Sequence, residues 1–219
     1  NETDFLYREV FEDLSYLRHG ITIEAGDCVF DVGANIGLFS LFAARQAEGV
    51  RVFAFEPIPP VFELMRANTR LHHLDATLFQ AGAAGAAGSA TFHYYPRVSI
   101  FSGRYADAAT ERAVVTKFVQ NQTATGEAVD RELFDDLLSE RLHSTAVECR
   151  LVAISDVMRE HHLDRIDLLK VDVEKSEGEV LRGIRDDDWP RIRQAIIEVH
   201  DSDGQLAQIE GTVTRSEVS

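Results

Sequence analysis

Asp31, Gly33, Asn35, Gly37, Glu56, Asp172, Glu174 and His200 are the residues whose types and spacing bear most directly on chemistry. The run Val29-Phe30-Asp31-Val32-Gly33-Ala34-Asn35-Ile36-Gly37 passes from apolar residues through an acid into glycines. An apolar helical pattern follows at once, from Leu38 to Ala44. A buried strand, a tight turn and a helix N-terminus read this way. Glycines let the backbone approach a ligand with no Cβ in the way. The first N–H groups of the helix are free to meet a polar or anionic group. The stretch is therefore a candidate small-molecule site. Glu56 ends a second apolar run, about 20 residues further on, where an acid of a doubly wound fold reaches the two ribose hydroxyls of a nucleoside. A dinucleotide site would carry Gly-x-Gly-x-x-Gly, whereas this chain has Gly33-x-Asn35-x-Gly37 preceded by Asp31. An acid two residues before the first glycine suits a ligand with a cationic amine, not a pyrophosphate.

The elements that must position these residues are legible in the apolar spacing. Phe5, Leu6, Val10, Leu14 and Leu17 predict a helix over 5–18, followed by a short strand at 21–23. Strands are expected at 28–32, 51–55 and 76–80, with helices at 38–46 and 61–71 between them. That alternation means a parallel sheet with crossover helices. Residues 81–88, rich in Gly and Ala, read as a loop before a strand at 89–95. An insertion follows, irregular and then helical around Ala113, Val114, Phe118 and Val119, with a further helix at 128–141. Such insertions are where substrate specificity usually lives. Strands return at 147–154, 166–173 and 194–200. Ser155 is expected to cap a helix to His161, a short helix covers 179–184, and a faint strand covers 211–215. The whole reads as one domain: 1–27 a leading helix and lid, 28–93 a cofactor-binding half, 94–146 the substrate-side insertion, 147–219 a catalytic half.

Strand alternation places Lys170, Asp172 and Glu174 on one face, and Glu198 and His200 on one face of the next strand. Reaction centres of open α/β sheets lie beyond the carboxyl ends of the strands. An acid and a histidine thus arrive at one rim, with His200 as a general base and Glu174 orienting its ring. Asp172 and Glu174 are alternatively hard oxygen ligands for Mg²⁺, but the further ligand this needs is not identified, and no metal is expected.

Bulk properties narrow the classes. The 219 residues are 45% hydrophobic and 27% charged, as in an ordinary globular protein. A formal net charge of -15, with 22 basic residues scattered among 37 acids, argues against nucleic acid as a partner. No apolar run approaches the roughly 20 residues of a membrane span. The start, Asn1-Glu2-Thr3-Asp4, has no basic or apolar leader and no initiator Met, the mark of a trimmed or excised domain. Cys28 and Cys149 are too few for a disulfide framework and suggest a reduced, cytoplasmic protein.

The pattern from Asp31 to Gly37 with Glu56 resembles the S-adenosylmethionine site of class I methyltransferases. The fuller runs Phe30 to Ser40, Phe55-Glu56-Pro57 and Leu169-Lys170-Val171-Asp172-Val173-Glu174 resemble the FkbM family of O-methyltransferases. The resemblance covers roughly residues 16–201. Family members commonly carry glycine after the acid that Glu174 matches, whereas here Lys175-Ser176-Glu177 follows. With Tyr94-Tyr95-Pro96-Arg97 and Glu198-Val199-His200-Asp201, the chain looks like the branch embedded in modular polyketide and non-ribosomal peptide synthases. The resemblance implies a Rossmann-like class I methyltransferase fold, with a mostly parallel doubly wound sheet and helices on both faces. It implies S-adenosylmethionine as cofactor and S-adenosylhomocysteine as product. Asp31, Gly33, Asn35 and Gly37 would hold the methionyl end and Glu56 the ribose. Ile58 would pack on the adenine, with the Gly82-Ala83 backbone edging it. Tyr16 stands either at the mouth, where the leading helix closes over the cofactor, or packed on the sheet.

The expected reaction is methyl transfer to a hydroxyl of an acyl chain tethered to a carrier protein, beside neighbouring synthase domains, in the cytoplasm. Tyr95, Arg97, Ser99 and Ser102 are candidate substrate contacts, and Arg97 and Arg104 candidates for a phosphopantetheine phosphate. Rival readings are a methyltransferase of a free small molecule or sugar, a Rossmann oxidoreductase, and a non-catalytic scaffold domain.

Overall fold

Cys28-Val29-Phe30-Asp31-Val32 is buried at every position, as a strand covered on both faces must be. It forms β1 (Cys28–Val32) in a computed structural model that describes residues 2–107, 109, 110, 112, 113, 140–199, 206 and 209. Before it comes α1 (Glu2–Tyr7), which runs on into a π-helical turn at Arg8–Glu12 and a 3₁₀ turn at Ser15–Leu17. After it come α2 (Leu38–Ala44), β2 (Arg51–Phe55), α3 (Pro59–Leu71) and β3 (Ala76–Phe79). Then follow β4 (Gly82–Ala83), β5 (Gly88–Tyr94), β6 (Thr145–Val152) and α4 (Ile154–Glu160). The chain continues through β7 (Leu168–Val171), α5 (Glu177–Arg182) and β8 (Ala195–Ile197).

Five strands join in the order β3-β2-β1-β7-β8, and every pairing is parallel. A smaller sheet, β4-β6-β5, lies beside them, with β5 antiparallel and β4 parallel to β6. The chain leaves β1 for β2 on one side and returns as β7 on the other, so a crevice opens between their carboxyl ends. Alternation divides the apolar side chains between two layers. Phe30, Phe53 and Phe55 meet Ile154, Val157 and Met158 of α4 and Val180 and Leu181 of α5. Val29, Val52 and Ala54 meet Phe39 and Phe42 of α2, Phe62 and Met65 of α3, and Val10 and Tyr16 from the leading segment. Each fully buried Val, Leu, Ile, Phe or Met among them stabilises the fold by about 1.5–3 kcal/mol. The architecture is Rossmann-like α/β, as the sequence led us to expect.

Three local expectations are corrected. Residues 21–23 are not a strand, because the Gln194 side chain takes the place of a neighbour: Thr22 N donates to Gln194 Oε1, and Gln194 Nε2 donates to Thr22 O, both at 2.9 Å. Ser155 is not a cap. Ala153 holds that position in extended conformation, and Ser155 Oγ accepts from Arg185 N at 2.8 Å. Residues 81–88 are not wholly a loop, since β4 pairs with β6 there. The helix expected over 128–141 falls mostly outside the described residues, as do the strand at 211–215 and Val114, Phe118 and Val119. Among the described residues no helix is long and apolar enough to cross a membrane.

Candidate active site

The turn after β1 is held by the next strand. Gly33 N and Ala34 N both donate to Phe55 O, at 3.1 and 2.9 Å. Gly33 has φ +79°, and a Cβ there would stand 1.8 Å from the carbonyl oxygen of Asp172. No other residue fits. Asn35 adopts a left-handed φ of 50°, which its short polar side chain tolerates, and its Oδ1 accepts from Ile36 N at 2.7 Å. Gly37, at φ +84°, starts α2 and lies against the Met65 side chain.

A cavity of about 310 Å³ opens beyond these strand ends, within the range of small-molecule sites. Gly33, Asn35, Glu56, Ile58, Gly82, Ala83, Asp172 and Glu174 all line it, so eight of the residues singled out from sequence converge. Glu56 is held at both of its carboxylate oxygens. Its Oε1 accepts from Ile58 N at 2.9 Å and its Oε2 from Asn35 N at 3.1 Å, which aims the carboxylate at the cavity. Burial pushes its pKa up to about 7, against the downward pull of those two N–H groups. Each carboxylate oxygen keeps a lone pair for a ligand hydroxyl. A turn opened by side-chain-free Gly33 beside a fixed carboxylate suits a nucleoside.

Asp31 and Tyr16 are placed differently. Neither is among the cavity-lining residues. Asp31 is fully buried. Its Oδ2 accepts from Ser40 Oγ at 2.6 Å, and its Oδ1 lies 3.2 Å from Lys170 Nζ. Lys170, likewise buried, also lies 3.2 Å from Asp172 Oδ2 and donates to Gly33 O at 3.0 Å. Burial works against its ammonium, but Asp172 and Asp31 outweigh that and hold its pKa above the ordinary value. Tyr16 packs on Phe39, ring centroids 5.0 Å apart, and its hydroxyl donates to Asp172 Oδ2 at 3.2 Å. Among the described residues no group of three or more His, Cys, Asp or Glu side chains is arranged to hold a metal ion. Register explains the cluster, because Asp31 and Lys170 are paired neighbours across β1 and β7.

The far rim is built by Glu174, Ser176, Glu179 and Glu198, with Ser99, Ser102 and Arg104 from the insertion. A Cβ on Gly103 would stand 2.9 Å from that of Glu174, so the loop presses directly on this acid. Arg104 is paired with Glu179, which also accepts from the Tyr105 hydroxyl. Tyr95 is buried, and Arg97 pairs with Glu140 at the surface, 2.6 Å apart. His200, the expected base, lies outside the described residues. Glu198, two positions before it, lines the cavity, its N–H donating to Val171 O at 2.9 Å.

The leading segment supplies the roof through Phe5, Leu6 and Glu9. Glu2 fastens it: its carboxylate accepts from Ser99 N, Ser99 Oγ and Ile100 N at 3.1, 2.6 and 2.9 Å. Asn35 Nδ2 reaches the same Ser99 hydroxyl at 3.4 Å. Reading the sequence missed Lys170 as the hub and Glu9 and Glu2 as site residues. Strand alternation placed Lys170 beside Asp172; nothing local tied residues 2–9 to a cavity.

Comparison with known proteins points one way. The family model described as the methyltransferase FkbM domain matches residues 31–214. The chain is 44% identical over 210 residues to the 31-O-demethyl-FK506 methyltransferase FkbM of Streptomyces tacrolimicus, covering 95% of this chain and 78% of that protein. It is 43% identical over 211 residues to the AMB antimetabolite synthetase AmbE of Pseudomonas aeruginosa, covering 94% of this chain but 10% of that protein. Methyltransferase sdnD of Sordaria araneosa is 30% identical over 220 residues, 95% of this chain and 79% of that protein.

Proposed function

The chain belongs to the FkbM methyltransferase family, and from that premise we propose that it methylates a hydroxyl of a carrier-tethered polyketide or peptide intermediate, using S-adenosylmethionine. The observation that carries the cofactor assignment is Glu56, a carboxylate fixed through both oxygens and facing a cavity beside side-chain-free Gly33. When bound, S-adenosylmethionine supplies an electrophilic methyl on a sulfonium sulfur. Glu56 would accept from the ribose hydroxyls, Ile58 would pack on the adenine, and Gly82 and Ala83 would edge it. Gly33 and Asn35 would border the amino-acid end, while Gly37 and Asp31 support the turn from behind. The acceptor enters between Glu174, Glu198 and the loop of Ser99 and Ser102. His200 would take the proton that the acceptor hydroxyl loses, with Glu174 orienting its ring, and loss of the methyl would leave the cofactor as S-adenosylhomocysteine. Asp172 shapes the same rim.

Two relatives support the finer assignment. One is named for an O-demethyl substrate, and another is a synthetase of which this chain matches a tenth. We assign the reaction to the cytoplasm, where the buried thiols of Cys28 and Cys149 stay reduced. The test is intact-mass spectrometry of carrier proteins loaded with hydroxyacyl chains. A gain of one methyl on the loaded carrier is expected. His200→Ala should abolish it while leaving cofactor affinity unchanged. Methylation of free hydroxy compounds alone would remove the carrier from the reading, and full activity of His200→Ala would reassign the base.

A further inference from the structure

Asp31 is the acid that the sequence sets against the cofactor's amine, yet Ser40 and Lys170 already engage it and it does not line the cavity. The carboxylates that line the same cavity as Gly33 and Asn35 include Asp172 and Glu9. Glu9 sits in the π-helical turn that follows α1 and is half-buried. Among the described residues no hydrogen bond or ion pair engages its carboxylate, although Glu9 is close enough to feel the charge of Asp172. Burial and that like charge hold its pKa above the ordinary carboxylate value. A half-buried acid beside a second acid is costly until a cation arrives.

We propose that Glu9 and Asp172 together receive the ammonium of the methionyl end, which makes the leading segment a cofactor-binding element and not merely a roof. The proposal rests on reading the cavity as the cofactor site. Lys170 and the Tyr16 hydroxyl both hold Asp172 through Oδ2, and a ligand ammonium would join them, since each carboxylate oxygen takes more than one hydrogen bond. One lysine shared by Asp31 and Asp172 leaves the turn, with Glu9, short of positive charge. A ligand ammonium supplies it.

The test compares two nucleosides by titration calorimetry on the whole chain. S-adenosylhomocysteine carries the ammonium on a neutral thioether, while 5′-methylthioadenosine keeps the adenine, ribose and thioether but lacks the amino-acid end, so the pair differs in no sulfonium charge. Glu9→Gln should weaken S-adenosylhomocysteine about tenfold, as loss of a charge-assisted contact does, and leave 5′-methylthioadenosine unchanged. The unchanged affinity doubles as proof that the variant is folded. Equal weakening of both would mean that Glu9 only helps to close the segment, and no weakening of either would mean no contact; each result overturns the proposal. Wild-type protein that binds neither nucleoside would instead overturn the cofactor assignment, and this inference with it.

Discussion

At the scale of single residues, Glu56 couples the site to pH. Its folded pKa of about 7 stands above the ordinary value near 4.3, so the folded chain binds this proton more tightly than the unfolded one. The sign follows from linkage. The stability Glu56 contributes is present in full below about pH 4 and is lost as pH rises through about 7. Ligand binding runs the other way, because ribose hydroxyls need the ionised carboxylate as acceptor. Affinity for S-adenosylmethionine should therefore fall about tenfold between pH 8 and pH 6, the ratio of ionised fractions about a pKa of 7, and Glu56→Gln should flatten the profile. Calorimetry at three pH values checks this. Glu56 was legible because type, spacing and a following proline sufficed to place it. Asp31 was legible as a site acid but not in its partners. Lys170 reaches it from 139 positions away along the chain, through a register that local periodicity does not encode.

At the scale of elements, the leading segment and the loop at 99–101 form one closure. The Glu2 carboxylate accepts three hydrogen bonds from the first two residues of Ser99–Phe101, and charge-assisted bonds of this kind contribute about 1.5–3 kcal/mol each. Glu2→Ala should raise amide exchange over residues 3–9 at least about tenfold, with β1 amides unchanged, in a hydrogen-exchange mass measurement. Equal exchange in the variant would show the segment held by Val10 and Tyr16 alone. The central strands were legible because β1 and β7 are buried at every position and β2 at all but its first, so apolar residues dominate each run. Residues 21–23 look like a strand for the same reason, but a glutamine side chain satisfies their backbone. Ser155 has the right type for a cap, and its hydroxyl is spent on Arg185 instead. Pattern reports what a segment can pair with, and tertiary contacts decide what it does pair with.

At the scale of the molecule, the net charge of -15 sets how a partner arrives. An acidic carrier would be repelled at long range, and screening weakens that repulsion. Between about 0.01 M and 0.15 M salt the Debye length falls from about 30 Å to about 8 Å. kcat/KM for a carrier-tethered substrate should rise several-fold over that interval, while a pantetheine-tethered analogue of the same chain stays flat. A fall for the carrier would identify a local basic docking patch. The carbonyl of Asp172, standing where a side chain of Gly33 would be, has a further consequence for anyone grafting this site into another protein. The glycine turn and the end of β7 occupy one volume, so neither can be transplanted or diversified without the other. The smallest interchangeable piece of this site is a pair of strands 139 positions apart in pairing, not a loop, and a recombination boundary drawn between them would separate halves that fit only each other.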